Sequence, residues 1–311
     1  MNAATAWTTA RMPDLTGKTV VITGGNSGIG LEAARVFAAR GARVVLAVRN
    51  EQKGHAAAAT IAGSTEVRRL DLADLATVRT FAAEWRGPID ILVNNAGILV
   101  PPFGHTRDGF ELQFGTNHLG HFALTNLLLP HVTGRVVTIA SSAHRTATLD
   151  LDDPNWSARK YSRTAAYGAS KLANLLFTLD LQHRLARAGS AVLAMAAHPG
   201  WASTNLGATS YGRVANAAIG LLNKVVAQDA AAGATPTLFA ATEPILGGSY
   251  VGPSRRREMA GPPMLVGRSD AASDRIAAAR LWAASEAMTG VSFPLNAVAG
   301  NGSTSNRRAA S

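Results

Sequence analysis

Tyr167 and Lys171 stand four residues apart in Tyr167-Gly168-Ala169-Ser170-Lys171, a spacing that sets a phenol and an ammonium on one face of a helix. A phenol ionises near pH ~10, too high for easy proton transfer at neutrality, and a neighbouring cation favours its ionised form. The pair can therefore serve as a tuned proton donor and acceptor, with Lys171 also able to hold a sugar hydroxyl. Upstream, Ser141-Ser142 follows an apolar run, so that the Ser142 hydroxyl can meet a carbonyl oxygen as negative charge develops on it. Tyr-x-x-x-Lys is also an ordinary packing-and-solvation pattern, so its meaning depends on its company.

That company begins at Thr23-Gly24-Gly25-Asn26-Ser27-Gly28-Ile29-Gly30, between a β-branched run and a helical pattern. Glycines there permit tight turning and close backbone approach, and the following helix N-terminus presents free amides to a pyrophosphate. Strand two ends in Arg49, where many dinucleotide folds carry an acid for the adenosine ribose. A guanidinium suits a 2′-phosphate, so NADP(H) is the preferred cofactor and NAD(H) the secondary one; the competing reading is a solvated arginine. Asp71-Leu72 follows strand three, and the carboxylate either accepts from an adenine amino group or opens the next helix. Asn94-Asn95-Ala96-Gly97 ends strand four with small residues that let backbone approach a cofactor. Asn117 is a poor helix former inside a helical stretch, either a buried amide or the holder of a water beside Lys171.

These groups need a scaffold of alternating elements. Strands are expected at Lys18–Thr23, Arg43–Val48, Glu66–Leu70, Ile89–Val93, Arg135–Ala140, Ala191–Ala196 and near Ser249–Val251. Helices are expected at Ile29–Arg40, Glu51–Ile61, Leu75–Trp85, Gly109–Leu129, Ala165–Ala188, Ala230–Ala241 and Ala271–Met288, the last on a sheet edge. Near-continuous apolar strands alternating with helices predict an α/β, Rossmann-type doubly wound parallel sheet with helices on both faces. One domain over 15–293 is expected between tails at 1–14 and 294–311. Within it, 201–228 reads as a substrate lid carrying a helix with Val214, Ala218, Leu221, Leu222 and Val225 on one side.

The chain has 311 residues, 47% hydrophobic and 16% charged, enough for a sizeable core, and no cysteine, which excludes disulfides and thiolate metal sites. A net charge of +10 raises nucleic acid as a partner, but the arginines are dispersed. Arg255-Arg256-Arg257 and Arg307-Arg308 read as a solvated loop and a tail, so no nucleic-acid partner is expected. Residues 1–14 lack a signal-peptide core and no 18-residue apolar run occurs, so a cytoplasmic protein without a membrane anchor is expected.

Taken together, the glycine turn, Asn-Asn-Ala-Gly, Asn117, Ser142, Tyr-x-x-x-Lys and Pro199-Gly200 occur in the order of the short-chain dehydrogenase/reductase family, which the chain resembles from about 15 to 293. Asn117-His118-Leu119-Gly120-His121-Phe122, Ser141-Ser142-Ala143-His144, Ser170-Lys171-Leu172-Ala173-Asn174 and Arg280-Leu281-Trp282 resemble its retinol-dehydrogenase and WW-domain-oxidoreductase branch. The resemblance implies Asn117, Ser142, Tyr167 and Lys171 as catalytic residues, Ser142 being preferred over Ser141, with no metal. It adds Pro199, Gly200 and Thr204 to the cofactor contacts. It implies a carbonyl–alcohol oxidoreductase acting on a small, fairly apolar aldehyde, ketone or alcohol, in a chain that can form a homo-oligomer. The alternative is an NADP(H)-binding regulator or sensor without turnover, because fold alone does not establish activity. Trp201, bulkier than the usual aliphatic residue, departs from the pattern.

Overall fold

The computed structural model describes residues 6–200 and 230–295. The expected lid at 201–228, with Trp201 and Thr204, and the tail beyond 295 lie outside the described residues. Eight strands form one sheet in the order β3-β2-β1-β4-β5-β6-β7-β8. They are β1 (Thr19–Thr23), β2 (Arg43–Val48), β3 (Thr65–Arg69), β4 (Ile89–Asn94), β5 (Val132–Ile139), β6 (Leu193–Ala197), β7 (Tyr250–Arg255) and β8 (Ala260–Leu265). All neighbours run parallel except β8, which returns antiparallel to β7.

The apolar runs serve two cores at once, because successive side chains of a strand point to opposite faces. Val20, Ile22, Val44 and Leu46 enter one cluster, whereas Val21, Val45 and Leu92 enter the other. Helices α1 (Gly28–Ala39), α2 (Glu51–Ala58), α3 (Leu75–Ala83), α5 (Gly120–Leu128), α6 (Arg163–Arg187), α7 (Ala230–Thr242) and α8 (Arg275–Thr289) cover the sheet, with a single turn, α4 (Leu112–Phe114), before α5. No described helix is long and apolar enough to cross a membrane.

Four differences from the sequence reading have physical causes. The helix expected over Gly109–Leu129 is three pieces: α4, a π-helical stretch at Gly115–Leu119 in which the Gly120 amide reaches the Gly115 carbonyl, and α5. Strand β8 carries Gly261, Pro262 and Pro263, which mask a strand in sequence but are tolerated on an edge. Of the arginine run expected as a loop, Arg255 closes β7 and only Arg256 and Arg257 lie in the β7–β8 turn, with Glu258, at φ 52°, 54° and 64°. Helix α8 lies over α6 rather than on the sheet edge: Trp282 stacks on Phe177 at 5.7 Å and meets Phe122 edge-on at 4.9 Å. At the N-terminus, Trp7 and Met12 are buried in the core, and the Trp7 indole donates to Glu243 at 2.6 Å, so part of the expected tail is packed.

Candidate active site

The strand order reverses between β1 and β4, because the chain proceeds outward to β3 and then returns to the other side of β1. Open α/β sheets bind ligands in the crevice that such a reversal leaves beyond the strand C-termini. Thr23 and Asn94 end the two strands there. Gly24 and Gly28 take left-handed φ of 66° and 53°, and a Cβ on Gly30 would lie 2.5 Å from Asn95 Nδ2 and 2.7 Å from the Gly24 carbonyl oxygen. Glycine is therefore required by conformation at two positions and by space at the third.

The start of α1 differs from the other capped helices. Asn50, Asp74 and Ser162 each accept a backbone N–H as N-caps of α2, α3 and α6, whereas Ser27 makes no such bond at α1, whose first turn holds no acid. Its amides are left for an anion, which fits a pyrophosphate. Ile29 is buried in the core, so its contribution to the crevice is its backbone. Arg49 is exposed just past β2 and makes no hydrogen bond or ion pair among the described residues. A cleft of about 520 Å³ between α1 and α2 opens beside Asn26 and Ser27, with Lys53 and Arg35 on its walls.

Beyond β4 the Asn94-Asn95-Ala96-Gly97 residues divide their work. Asn94 is fully buried and donates to Thr125 Oγ1 at 2.8 Å, so its side chain serves the core between β4 and α5 and its backbone is what it can offer the crevice. Asn95 donates from Nδ2 to the Thr23 carbonyl at 2.8 Å, and the Asn95 and Ala96 amides both donate to Thr23 Oγ1 at 2.9 Å. A Cβ on Gly97 would sit 3.2 Å from Asn117 Oδ1 and 3.6 Å from Lys171 Nζ. Asp71 accepts the Ala73 amide at 3.0 Å and so shapes the turn before α3, while Leu72 is buried in the core. Gly200, after Pro199, takes φ 70°, with the Met259 carbonyl 2.5 Å from any added Cβ.

Helix α6 supplies Tyr167 and Lys171. Lys171 is buried and donates to the Ile139 carbonyl at 3.0 Å, and loss of water pulls its pKa down to about 8. Its Nζ lies 5.7 Å from the centre of the half-buried Tyr167 ring. Burial raises the Tyr167 pKa, and a hydrogen bond with Ser141 offsets part of that rise. Desolvation thus decides the direction, opposite to the lowering expected from Lys171, and the Tyr167 phenol is neutral at neutrality.

Asn117 sits in the π-helical stretch, where altered backbone bonding is common at functional sites. Its Oδ1 accepts the Ile98 amide at 2.8 Å, and its Nδ2 donates to the Ile98 carbonyl and to Ser170 Oγ, each at 3.0 Å. The buried-amide reading therefore describes its side chain. Of the serine pair, Ser141 accepts the Ala143 amide at 3.2 Å and hydrogen-bonds Tyr167, so the serine that meets the phenol is Ser141 and not the Ser142 expected. Ser142 is exposed at the start of the following 3₁₀ turn, with no partner among the described residues. Sequence reasoning missed two residues of this assembly, Thr23 and Ser170; both stood inside the quoted motifs, but their hydroxyls acquire roles only through contacts across the fold.

The short chain dehydrogenase family model matches residues 18–213. Human retinol dehydrogenase 13 is 49% identical over 203 residues, which cover 61% of this chain and 61% of that protein, so less than two thirds of that relative is spanned. Human retinol dehydrogenase 14 is 35% identical over 304 residues, covering 88% of this chain and 87% of that one. Among solved structures, an uncharacterised protein from Mycobacterium paratuberculosis is 50% identical with a TM-score of 0.82, over 94% of this chain and all of that chain. A protein proposed to be an NAD(P) dependent gluconate 5-dehydrogenase from Beutenbergia cavernae, solved with bound NADP, is 28% identical with a TM-score of 0.55, over 74% of this chain and 91% of that one. A family match over more than half the chain, joined by a relative alike along most of its length, makes this chain a member of the short-chain dehydrogenase family, on its retinol-dehydrogenase side.

Proposed function

We propose that the protein is an NADP(H)-dependent oxidoreductase that interconverts a carbonyl and an alcohol on a small, fairly apolar substrate. The observation that carries this reading is the gathering of Tyr167, Lys171, Asn117 and Gly97 at the mouth of the β1–β4 crevice. The cofactor, when bound, supplies or accepts a hydride at the substrate carbon. In the reducing direction Tyr167 gives its proton to the carbonyl oxygen, a role suited to a phenol that burial keeps protonated. Ser141, whose side chain hydrogen-bonds Tyr167, is the serine placed to donate a hydrogen bond to the same oxygen as charge grows on it, in place of the exposed Ser142 expected from the sequence. Lys171 holds a ribose hydroxyl, and Asn117 fixes the Ile98 segment and Ser170 around it. Arg49, exposed just past β2 and without a hydrogen bond or ion pair among the described residues, supports a 2′-phosphate and hence NADPH over NADH.

The test is a panel of aldehydes, ketones and alcohols, retinal and retinol included because of the relatives' names, followed by NADPH absorbance. Tyr167→Phe should lower kcat by roughly 10²- to 10⁴-fold with NADPH affinity within about twofold of wild type, since it removes the transferable proton and little else. Retention of more than about a tenth of kcat would refute the acid role.

A further inference from the structure

His121 lies in the first turn of α5, is 1% exposed and touches neither end of any expected catalytic side chain. Its ring nitrogens nonetheless contact two parts of the site. Nδ1 is 3.0 Å from the Asn117 backbone carbonyl oxygen, and Nε2 is 2.8 Å from Thr23 Oγ1. A carbonyl oxygen only accepts, so the ring proton is on Nδ1, and on the neutral ring Nε2 keeps its lone pair. The Thr23 hydroxyl then donates its proton to Nε2, while its oxygen accepts the Asn95 and Ala96 amides at 2.9 Å each. Every polar atom in the chain from Ala96 to Asn117 has its partner, and only one tautomer satisfies it. Burial holds the imidazole neutral, its pKa lowered to about 4, with the nearby Lys171 charge adding to the shift.

We infer that His121 is a positioning residue of this site: it ties the Asn117 carbonyl in the π-helical stretch to the Thr23 hydroxyl and, through it, to the Asn95–Ala96 backbone beside the dinucleotide crevice. The role deepens the oxidoreductase reading and rests on it. Filling of the core is a weaker account, as the neighbouring histidine makes plain. His118 packs its ring against Phe114, Phe122 and Phe177 and bonds Ser285 of α8 and Asn174 of α6, with no bond to Thr23 or to the Asn117 carbonyl among the described residues. His121 has no such aromatic packing and spends both nitrogens on the site. Removing it leaves the Thr23 hydroxyl only the longer bond to the Val93 carbonyl, at 3.4 Å, and a lone pair of the Asn117 carbonyl unmet, at buried positions where water does not replace them.

The experiment is NADPH titration of the full chain by nicotinamide fluorescence, without turnover, alongside thermal melting. His121→Leu should weaken NADPH binding about five- to a hundredfold, the range for stranded buried polar groups. His121→Asn, whose amide still reaches the Asn117 carbonyl but not Thr23, should fall between, and His121→Gln should recover more. The Thr23→Val/His121→Leu pair should weaken binding by less than the product of the single effects, because the two share one hydrogen bond. His118→Phe is the comparison, and should lower the melting temperature with NADPH affinity unchanged. A folded His121→Leu protein within about twofold of wild-type affinity would overturn the inference, as would independent effects in the double variant. If His121→Leu does not fold, His121→Asn with wild-type affinity overturns it equally. Failure of the chemistry reading is distinguished by Tyr167→Phe, which acts on kcat and not on this binding measurement.

Discussion

Acid should destabilise the fold through His118 before it protonates most carboxylates, and the size of the effect can be worked out. His118 is 1% exposed, and burial lowers its pKa from 6.5 to about 3, with a further lowering from His121. The folded state therefore binds its proton later than the unfolded chain does. Stability is fully present above pH 6.5 and is lost as pH falls toward 3. Between pH 7 and pH 5 the unfolded imidazole gains about 0.7 of a proton while the folded one gains almost none. Integration over that interval gives a loss of about 2 kcal/mol, and the figure barely changes if the folded pKa is 4 instead of 3, because both lie well below pH 5. His118→Phe keeps a ring among Phe114, Phe122 and Phe177 and gives up the Ser285 bond. It should lower stability at pH 7 yet show a pH 7-to-5 loss smaller than wild type by the same ~2 kcal/mol, roughly 0.7 M in the urea midpoint at an m-value of about 3 kcal/mol/M. His121 contributes in the same direction in both proteins, its pKa also being depressed, and cancels in the difference. Urea titrations at the two pH values with circular dichroism provide the measurement. Parallel pH dependence in variant and wild type would refute a buried neutral His118.

The remaining predictions concern the crevice. Ser141→Ala should lower kcat by roughly 10²- to 10³-fold as the hydroxyl beside Tyr167 is lost, and raise the Tyr167 pKa seen in the pH–rate profile, whereas Ser142→Ala should act more weakly; equal, mild effects would remove both hydroxyls from the reacting oxygen. Arg49→Ala should erase most of a roughly ten- to hundredfold preference for NADPH over NADH in kcat/KM, leaving NADH kinetics intact, and added salt should shrink the wild-type preference; unchanged discrimination would return Arg49 to the solvated surface. Gly30→Ala should weaken binding of both dinucleotides and cost about 1–3 kcal/mol in stability, since its Cβ would fall 2.7 Å from the Gly24 carbonyl, backbone that cannot swing aside; an undisturbed melting temperature would show that the turn relaxes.

Much of this architecture is written locally. Apolar strand runs, the glycine turn and the Tyr167–Lys171 spacing depend on neighbours in the chain, so their types and order could be read from residue patterns, and β2 runs from Arg43 to Val48 as expected. The π-helical stretch was not legible, because Asn117 in a helical pattern signals an anomaly without saying how the backbone resolves it. Strand β8 was hidden by its prolines, which become acceptable only once the strand is known to lie on an edge.

For the site, sequence determined which chemical groups are present and the helix face that carries two of them. Tertiary structure decided their state. Desolvation at Tyr167 and Lys171 depends on how many distant atoms exclude water, so the phenol moved up in pKa where local charge alone argued for down. Adjacent residues also parted company: Asn94 turned to the core and Asn95 to Thr23, while Ser141 engaged Ala143 and Tyr167 and Ser142 has no partner among the described residues. Alternation along a strand end sets such pairs on opposite faces, but which face meets the crevice is settled by the sheet order, and that order is a property of contacts between segments far apart in the chain.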